Sequence, residues 1–175
     1  MRFGYSIAGV FAVLALSCTQ GQPNPPSGAT ETHGHVAAAA NTAAHAVVRP
    51  DEVKWSDAPP SLPAGAKTAV LEGDPSREGF FVMRAMLPAN YRIAPHWHPT
   101  TERITVLSGT MYLGMGERFD PAAGQALPAG TYATMPAGMR HFAYTKGEAV
   151  IQIGTMGPWE ITYVNAADDP RQQKR

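Results

Sequence analysis

The chain lacks a second cysteine, a net charge and a long apolar run, and each absence excludes a class of protein. It contains one cysteine, Cys18, so no disulfide can form within the chain. Its 14 basic and 14 acidic side chains cancel, and no basic run is interleaved with aromatic residues. Nucleic acid is therefore not an expected partner. The apolar stretch at residues 7–16 is too short to span a bilayer with margin.

The first 18 residues predict an export signal. Arg2 supplies a positive charge, the apolar stretch follows it, and the small residues Ser17 and Cys18 come next. Leu14 to Cys18 resembles a bacterial lipoprotein box, in which the cysteine is lipidated. Ala15 stands where leucine is usual, so a soluble secreted protein and an uncleaved anchor stay open as alternatives. We expect an exported protein, periplasmic or lipid-anchored to the cell envelope, that contacts membrane only through this anchor.

Residues 19–48 predict a disordered linker, because they are rich in Gly, Pro, Ser, Thr and Ala and show no periodic hydrophobicity. His33, His35 and His45 lie within it. Solvated linker histidines are the favoured interpretation, and weak metal binding is the alternative. The character of the sequence then changes, so we expect one folded domain at residues 49–170 and a polar tail at residues 171–175.

The folded region predicts short strands rather than helices. The whole chain has 17 glycines and 16 prolines, which is typical of many strands joined by tight turns. Apolar segments separated by Gly, Pro, Asn and Asp predict strands at residues 67–71, 80–87, 92–98, 103–113 (with a turn at Ser108-Gly109), 131–135, 141–145, 149–155 and 159–164. Short strands at this spacing predict an all-β sandwich or small barrel.

Three histidines and a glutamate form the candidate functional site. His96 and His98 are two residues apart, so in a strand both imidazoles lie on the same face. Glu102 follows after a short proline-containing bend, and His141 follows a Pro- and Gly-containing turn. Three imidazoles and a carboxylate suit a divalent transition metal. The alternative is that these histidines bind an organic ligand or hydrogen-bond one another.

The same residues carry a family resemblance. The first cupin motif, Gly-x5-His-x-His-x3-Glu-x6-Gly, matches His96, His98, Glu102 and Gly109, with Asn90 in place of the leading glycine. The second, Gly-x5-Pro-x-Gly-x2-His-x3-Asn, matches Gly130, Pro136, Gly138 and His141, with Thr145 in place of the final asparagine. The chain thus resembles a small single-domain bacterial cupin. The resemblance implies two antiparallel sheets curled into a jelly-roll β-barrel, with metal bound inside by His96, His98, Glu102 and His141.

Such a ligand set leaves one or two coordination positions open around Fe, Mn, Ni, Cu or Zn. We therefore expect a metal-dependent, dioxygenase-like oxidoreductase that acts on a small molecule. A non-catalytic metal or small-molecule binding or sensing module of the cell envelope is the main alternative, and a purely structural barrel is the third. The hydroxyls of Tyr112 and Tyr163 are candidate substrate contacts, although core packing is favoured for both. Cupins commonly pair through their outer sheets, so a homodimer is a possible assembly.

Overall fold

A computed structural model describes residues 45–173, which are built mainly from short strands. The predicted signal and nearly all of the predicted linker lie outside these residues. The strands are β1 (Ser56–Asp57), β2 (Lys67–Glu72), β3 (Gly79–Leu87), β4 (Arg92–Trp97), β5 (Glu102–Ser108), β6 (Thr110–Met115), β7 (Gln125–Pro128), β8 (Tyr132–Met135), β9 (His141–Thr145), β10 (Ala149–Gly157) and β11 (Thr162–Tyr163). Short 3-10 helices cover Pro50–Glu52, Pro121–Ala123 and Ala166–Asp168. Within the described range, no helix has the length and hydrophobicity to cross a membrane.

The strands form two antiparallel sheets, which confirms the all-β jelly-roll prediction. One sheet has the order β1-β2-β3-β10-β5-β8 and the other β11-β4-β9-β6-β7. The expected barrel closure is wrong, because no strand of residues 45–173 is shared between the two sheets. The chain changes sheet through tight turns such as the one between β7 and β8, where Thr131 N donates to Pro128 O at 3.1 Å. The fold is therefore a two-sheet sandwich with its core between the inner faces.

The predicted strands are confirmed, with three differences. β1 and β7 were not predicted, because two and four residues with no buried alternation leave no periodic signal. The predicted strand at residues 159–164 is reduced to Thr162–Tyr163. The backbone groups just before this strand make hydrogen bonds that are not part of a sheet. Trp159 N donates to Pro75 O at 2.7 Å, and Glu160 O accepts from the His98 ring.

A β-bulge in β4 aims His96 at the interior. In the pairing with β9, Ile93 is opposite Ala143 and His96 is opposite His141. β4 therefore has one more residue than β9 between these two pairs. Strict alternation from the buried Ile93 would have turned His96 to the outer face. Pro95 lies in the bulge, where its missing backbone N–H costs no ladder hydrogen bond.

The two departures from the cupin motifs meet at one turn. Asn90 has φ of 59°, a left-handed conformation that Asn tolerates better than most residues and that Gly adopts freely. The buried hydroxyl of Thr145 accepts from Tyr91 N at 3.0 Å and donates to Pro88 O at 2.6 Å. The turn at residues 88–91 is thus fixed to β9 from both sides of Asn90.

Gly114 in β6 provides a test of side-chain packing on the outer face of a sheet, away from the core that lies between the two sheets. A Cβ there would lie 2.0 Å from the Phe142 ring, which is fully buried and packs against Phe119 at 5.0 Å between centroids. We expect Gly114→Ala to lower the free energy of unfolding by about 2–3 kcal/mol, because the confined ring cannot move aside. Urea denaturation measures the loss. Gly147→Ala is the matched control, since nothing lies within 4 Å of its Cβ position. Equal midpoints for both variants would contradict this account.

Candidate metal centre

Three buried imidazoles converge at the ends of two neighbouring strands. His96 is in β4, His98 follows the end of β4, and His141 is the first residue of β9, directly opposite His96. Their ring centroids are 4.3 Å apart for His96–His141, 5.1 Å for His96–His98 and 5.4 Å for His98–His141. One ring nitrogen from each lies within 4.8 Å of the others. The convergence expected from the motif spacing is confirmed, and the group can bind a metal ion.

Backbone carbonyls orient all three rings in the same way. Nδ1 lies 2.7 Å from Ala94 O in His96, 2.7 Å from Glu160 O in His98 and 3.0 Å from Met139 O in His141. A carbonyl can only accept, so each Nδ1 carries the proton and each Nε2 keeps a free lone pair. Ligand histidines in metalloproteins are commonly fixed in this way.

Glu102 places its carboxylate beside two of these Nε2 atoms. It is the first residue of β5 and is 4% exposed. Its Oε2 lies 3.5 Å from His98 Nε2 and 3.7 Å from His141 Nε2, too far for strong hydrogen bonds. The structure thus brings all four predicted ligands together. Ile104 and Val106, which alternate with exposed or half-buried residues along β5, are buried like Glu102.

Burial sets the protonation of the site. Desolvation lowers the pKa of all three imidazoles below the ordinary 6.5, and His96 most strongly. Burial also raises the pKa of Glu102 from 4.5 to about 7, although the neighbouring His141 opposes the shift. Near neutral pH the imidazoles are therefore neutral, and the glutamate exchanges a proton in the physiological range.

The donor chemistry of the site fits a divalent transition metal. His98 Nε2 is buried and has no hydrogen-bond partner, which is costly for a polar atom unless a ligand satisfies it. Neutral imidazoles and a carboxylate are the donors that Fe, Mn, Ni, Cu and Zn accept. A cation would also compensate the buried carboxylate.

The cavity around this site is small and has aliphatic walls. Its volume is about 30 Å³, and Ile104, Met111, Leu113, Ile151, Ile153 and Ile161 are among the residues that line it. Trp159 also lines it and stacks on His98, with ring centroids 5.9 Å apart and an interplanar angle of 12°. This volume suits one ion with a water molecule. Drug-sized ligands occupy pockets of several hundred Å³.

Neither tyrosine proposed as a substrate contact lines this cavity. The hydroxyl of Tyr163 donates to Ser61 O at 2.8 Å, and Tyr112 stacks on Tyr144 at 4.7 Å between centroids. The favoured alternative, core packing, is therefore correct for Tyr163, whereas Tyr112 is half-buried and lies outside the core cluster.

Two features of the site were not predicted from the sequence. Glu160 contributes a main-chain carbonyl, which any residue type could supply. Leu62 lies before β2, far from both motifs along the chain, and yet it lines the cavity. A proline on each side of it, Pro60 and Pro63, was the available sign of a rigid loop at this position.

The sandwich and its buried histidine cluster define a cupin. Residues 43–159 match the family described as "ChrR Cupin-like domain", and the chain belongs to this family. No significant match is found among curated proteins.

Solved structures confirm the fold. The polyketide cyclase RemF from Streptomyces resistomycificus is 19% identical, with 73% of this chain and 90% of that chain covered and a TM-score of 0.61. A putative acetylacetone dioxygenase from Methylibium petroleiphilum is 22% identical, with coverage of 73% and 85% and a TM-score of 0.56. An RmlC-like cupin from Shewanella frigidimarina is 12% identical, with coverage of 65% and 91% and a TM-score of 0.50. At these identities the likeness shows the fold alone.

Proposed function

We propose that the protein binds one divalent transition metal ion between its two sheets through His96, His98, Glu102 and His141. The observation that carries the proposal is the shared orientation of the imidazoles: each Nδ1 faces a carbonyl, and the three rings meet in one buried cavity. The unpartnered Nε2 of His98 supports it. Fe, Mn, Ni, Cu and Zn are all compatible with nitrogen and oxygen donors.

The reaction that we propose is oxidation of a small molecule of the dioxygenase type. A bound ion with open positions supplies Lewis-acid polarisation and, if it is redox-active, electron transfer. The protein's own residues hold the ion, and the aliphatic walls keep bulk water from it. A putative acetylacetone dioxygenase shares the fold, and this analogy supports the reaction class without fixing the substrate.

A second function is favoured by the size of the cavity. At about 30 Å³ it holds an ion and a water molecule but no organic substrate. A protein that senses or stores metal needs no more room than this. We therefore retain a non-catalytic metal-binding module of the cell envelope as the alternative.

Metal analysis tests the proposal. We expect the full chain purified from its native envelope to contain about one transition-metal ion per chain by elemental analysis, since one site has a complete donor set. Oxygen consumption with phenols and β-diketones then separates the two functions. Turnover supports the enzyme, whereas tight metal binding without oxygen uptake supports the sensor. A chain that holds no metal and takes up none when titrated with Co²⁺ contradicts both.

Export and pairing are also part of the proposal. The signal-like first 18 residues support export to the periplasm or the envelope. Phe80, Leu107 and Met156 support a homodimer, because they are 39–50% exposed on strands of the six-stranded sheet. Fractionation of cells and light scattering of the purified chain test these two points.

A further inference from the structure

A large open groove lies outside the small metal cavity. Its volume is about 1060 Å³, and it is lined by the loop before β2, by Arg92 and Ala94 of β4, and by residues that follow β11, including Asp168 and Arg171. Its lining mixes charged residues, among them Arg92, Asp168 and Arg171, with apolar ones such as Pro60 and Pro63. The groove has the capacity for an organic molecule that the cavity lacks.

Leu62 separates the groove from the cavity. Among the described residues it is the one that lines both spaces. It is 7% exposed, packs with the core, and lines the same cavity as the histidines. A leucine that turned toward the groove would leave an opening from the outer surface to the imidazoles.

The backbone on both sides of Leu62 is held in place. The hydroxyl of Tyr163 donates to Ser61 O at 2.8 Å, and the hydroxyl of Tyr91 donates to Pro63 O. Burial raises the pKa of both phenols, so they remain protonated donors. The base of the loop is closed by a 3.1 Å hydrogen bond from Ala58 N to Ala66 O. Movement is therefore left to the Leu62 side chain, and rotamer changes are fast compared with loop displacement.

We propose that Leu62 is the gate to the metal cavity, and that the groove binds the body of a small polar organic molecule whose metal-binding atoms enter past it. This inference rests on the proposed function, because the molecule's destination is the metal. The gate explains how a site with a 30 Å³ cavity can act on an organic substrate. The size of residue 62 would then limit which molecules reach the site.

Trp159 offers the competing route. Its ring is half-buried, so it reaches from the cavity wall toward solvent, and it covers one face of His98. However, this route opens by moving a large ring that stacks on His98, and Trp159 is not among the residues that line the groove. The two routes make different predictions for the same probe.

Diethyl pyrocarbonate, a small uncharged reagent that modifies neutral imidazoles, tests the gate in the metal-free full chain. We expect Leu62→Ala to raise the rates at which His98 and His141 are modified about tenfold or more. The leucine side chain no longer blocks the reagent, so the free-energy barrier to its entry is lower. Peptide mass spectrometry measures each site. The exposed His45 is the internal reference and should react equally in every variant.

Leu127→Ala is the matched control, because Leu127 is 5% exposed and lines neither space. It reproduces the loss of a buried leucine without opening a route. Leu62→Val provides a milder opening and is expected to give a smaller increase. Equal rates in Leu62→Ala and Leu127→Ala would overturn the gate, as would acceleration in Trp159→Ala alone. Since the probe needs no metal, a failure to bind metal would refute the proposed function and leave this result standing.

Discussion

Replacing His141 by alanine should abolish tight metal binding and remove the stabilisation that metal provides. His141 is 2% exposed, and its ring lies 4.3 Å from that of His96 and 5.4 Å from that of His98. Alanine therefore removes one of the three clustered imidazoles. In the wild type, metal at about 100 times its dissociation constant should add about 2.7 kcal/mol to the free energy of unfolding. For a domain of this size that is a rise in Tm of roughly 10 °C.

Elemental analysis after dialysis and thermal unfolding with and without Co²⁺ measure these effects. His45→Ala is the control, because His45 is exposed and lies outside the cluster. It should retain the metal and the full thermal shift. A His141→Ala variant that keeps stoichiometric metal would contradict the proposed centre, whatever its stability without metal.

The metal centre could be predicted because its information is local in the sequence. His96, His98 and Glu102 lie within seven positions of one another, so strand periodicity and one bend nearly determine their relative places. His141 required a second motif, and the pairing of β4 with β9 places it opposite His96. Short-range geometry and two turn signals were sufficient for these residues.

The bulge at residues 93–96 could not be predicted from strand periodicity. The two histidines share a face, as predicted, but alternation alone does not say which face is buried. An extra residue beside Pro95 resets the alternation, and a proline is compatible with a regular edge strand as well as with a bulge. Only the pairing partners on β9 determine which of these forms.

Leu62 could not be predicted for a different reason. Its role depends on contacts between segments that are distant in the chain, since Tyr163 donates to Ser61 O across 102 positions. Barrel closure was wrong for a similar reason, because the local strand pattern is the same in a barrel and a sandwich. Contacts between distant segments determine both the role of Leu62 and the separation of the two sheets. The hydrophobic periodicity of the sequence does not predict such contacts.

The protonation of Glu102 connects the metal centre to pH. Burial raises its pKa from 4.5 to about 7, so the metal-free fold binds a proton that the unfolded chain releases within this range. Glu102 therefore contributes stability to the metal-free fold below pH 4.5 and loses it as the pH rises through 7. The imidazoles act in the opposite direction, because their lowered pKa values favour the fold above pH 6.5 and disfavour it as the pH falls. A cation bound at higher pH would offset the cost of the buried carboxylate.

Metal affinity should consequently rise with pH up to about 7 and then level off. Below the Glu102 pKa of about 7, each bound ion displaces one proton. The apparent affinity should therefore fall about tenfold per pH unit well below the pKa, or roughly fiftyfold between pH 7 and pH 5, because half of the carboxyl groups are already protonated at pH 7. The imidazoles add little to this slope near neutral pH, because their pKa values are lowered. Titration calorimetry with Co²⁺ at several pH values measures both the affinity and the protons released.

Glu102→Gln should bind metal more weakly at pH 7 and show a nearly flat affinity between pH 6 and pH 8, because the amide cannot titrate. Glu160→Gln is the matched control. The Glu160 side chain is exposed, and only its main-chain carbonyl contacts His98, so the wild-type slope should remain. A Glu102→Gln variant with the wild-type pH slope would show that another group loses the proton. The carboxylate would then lie beside the metal without serving as its ligand.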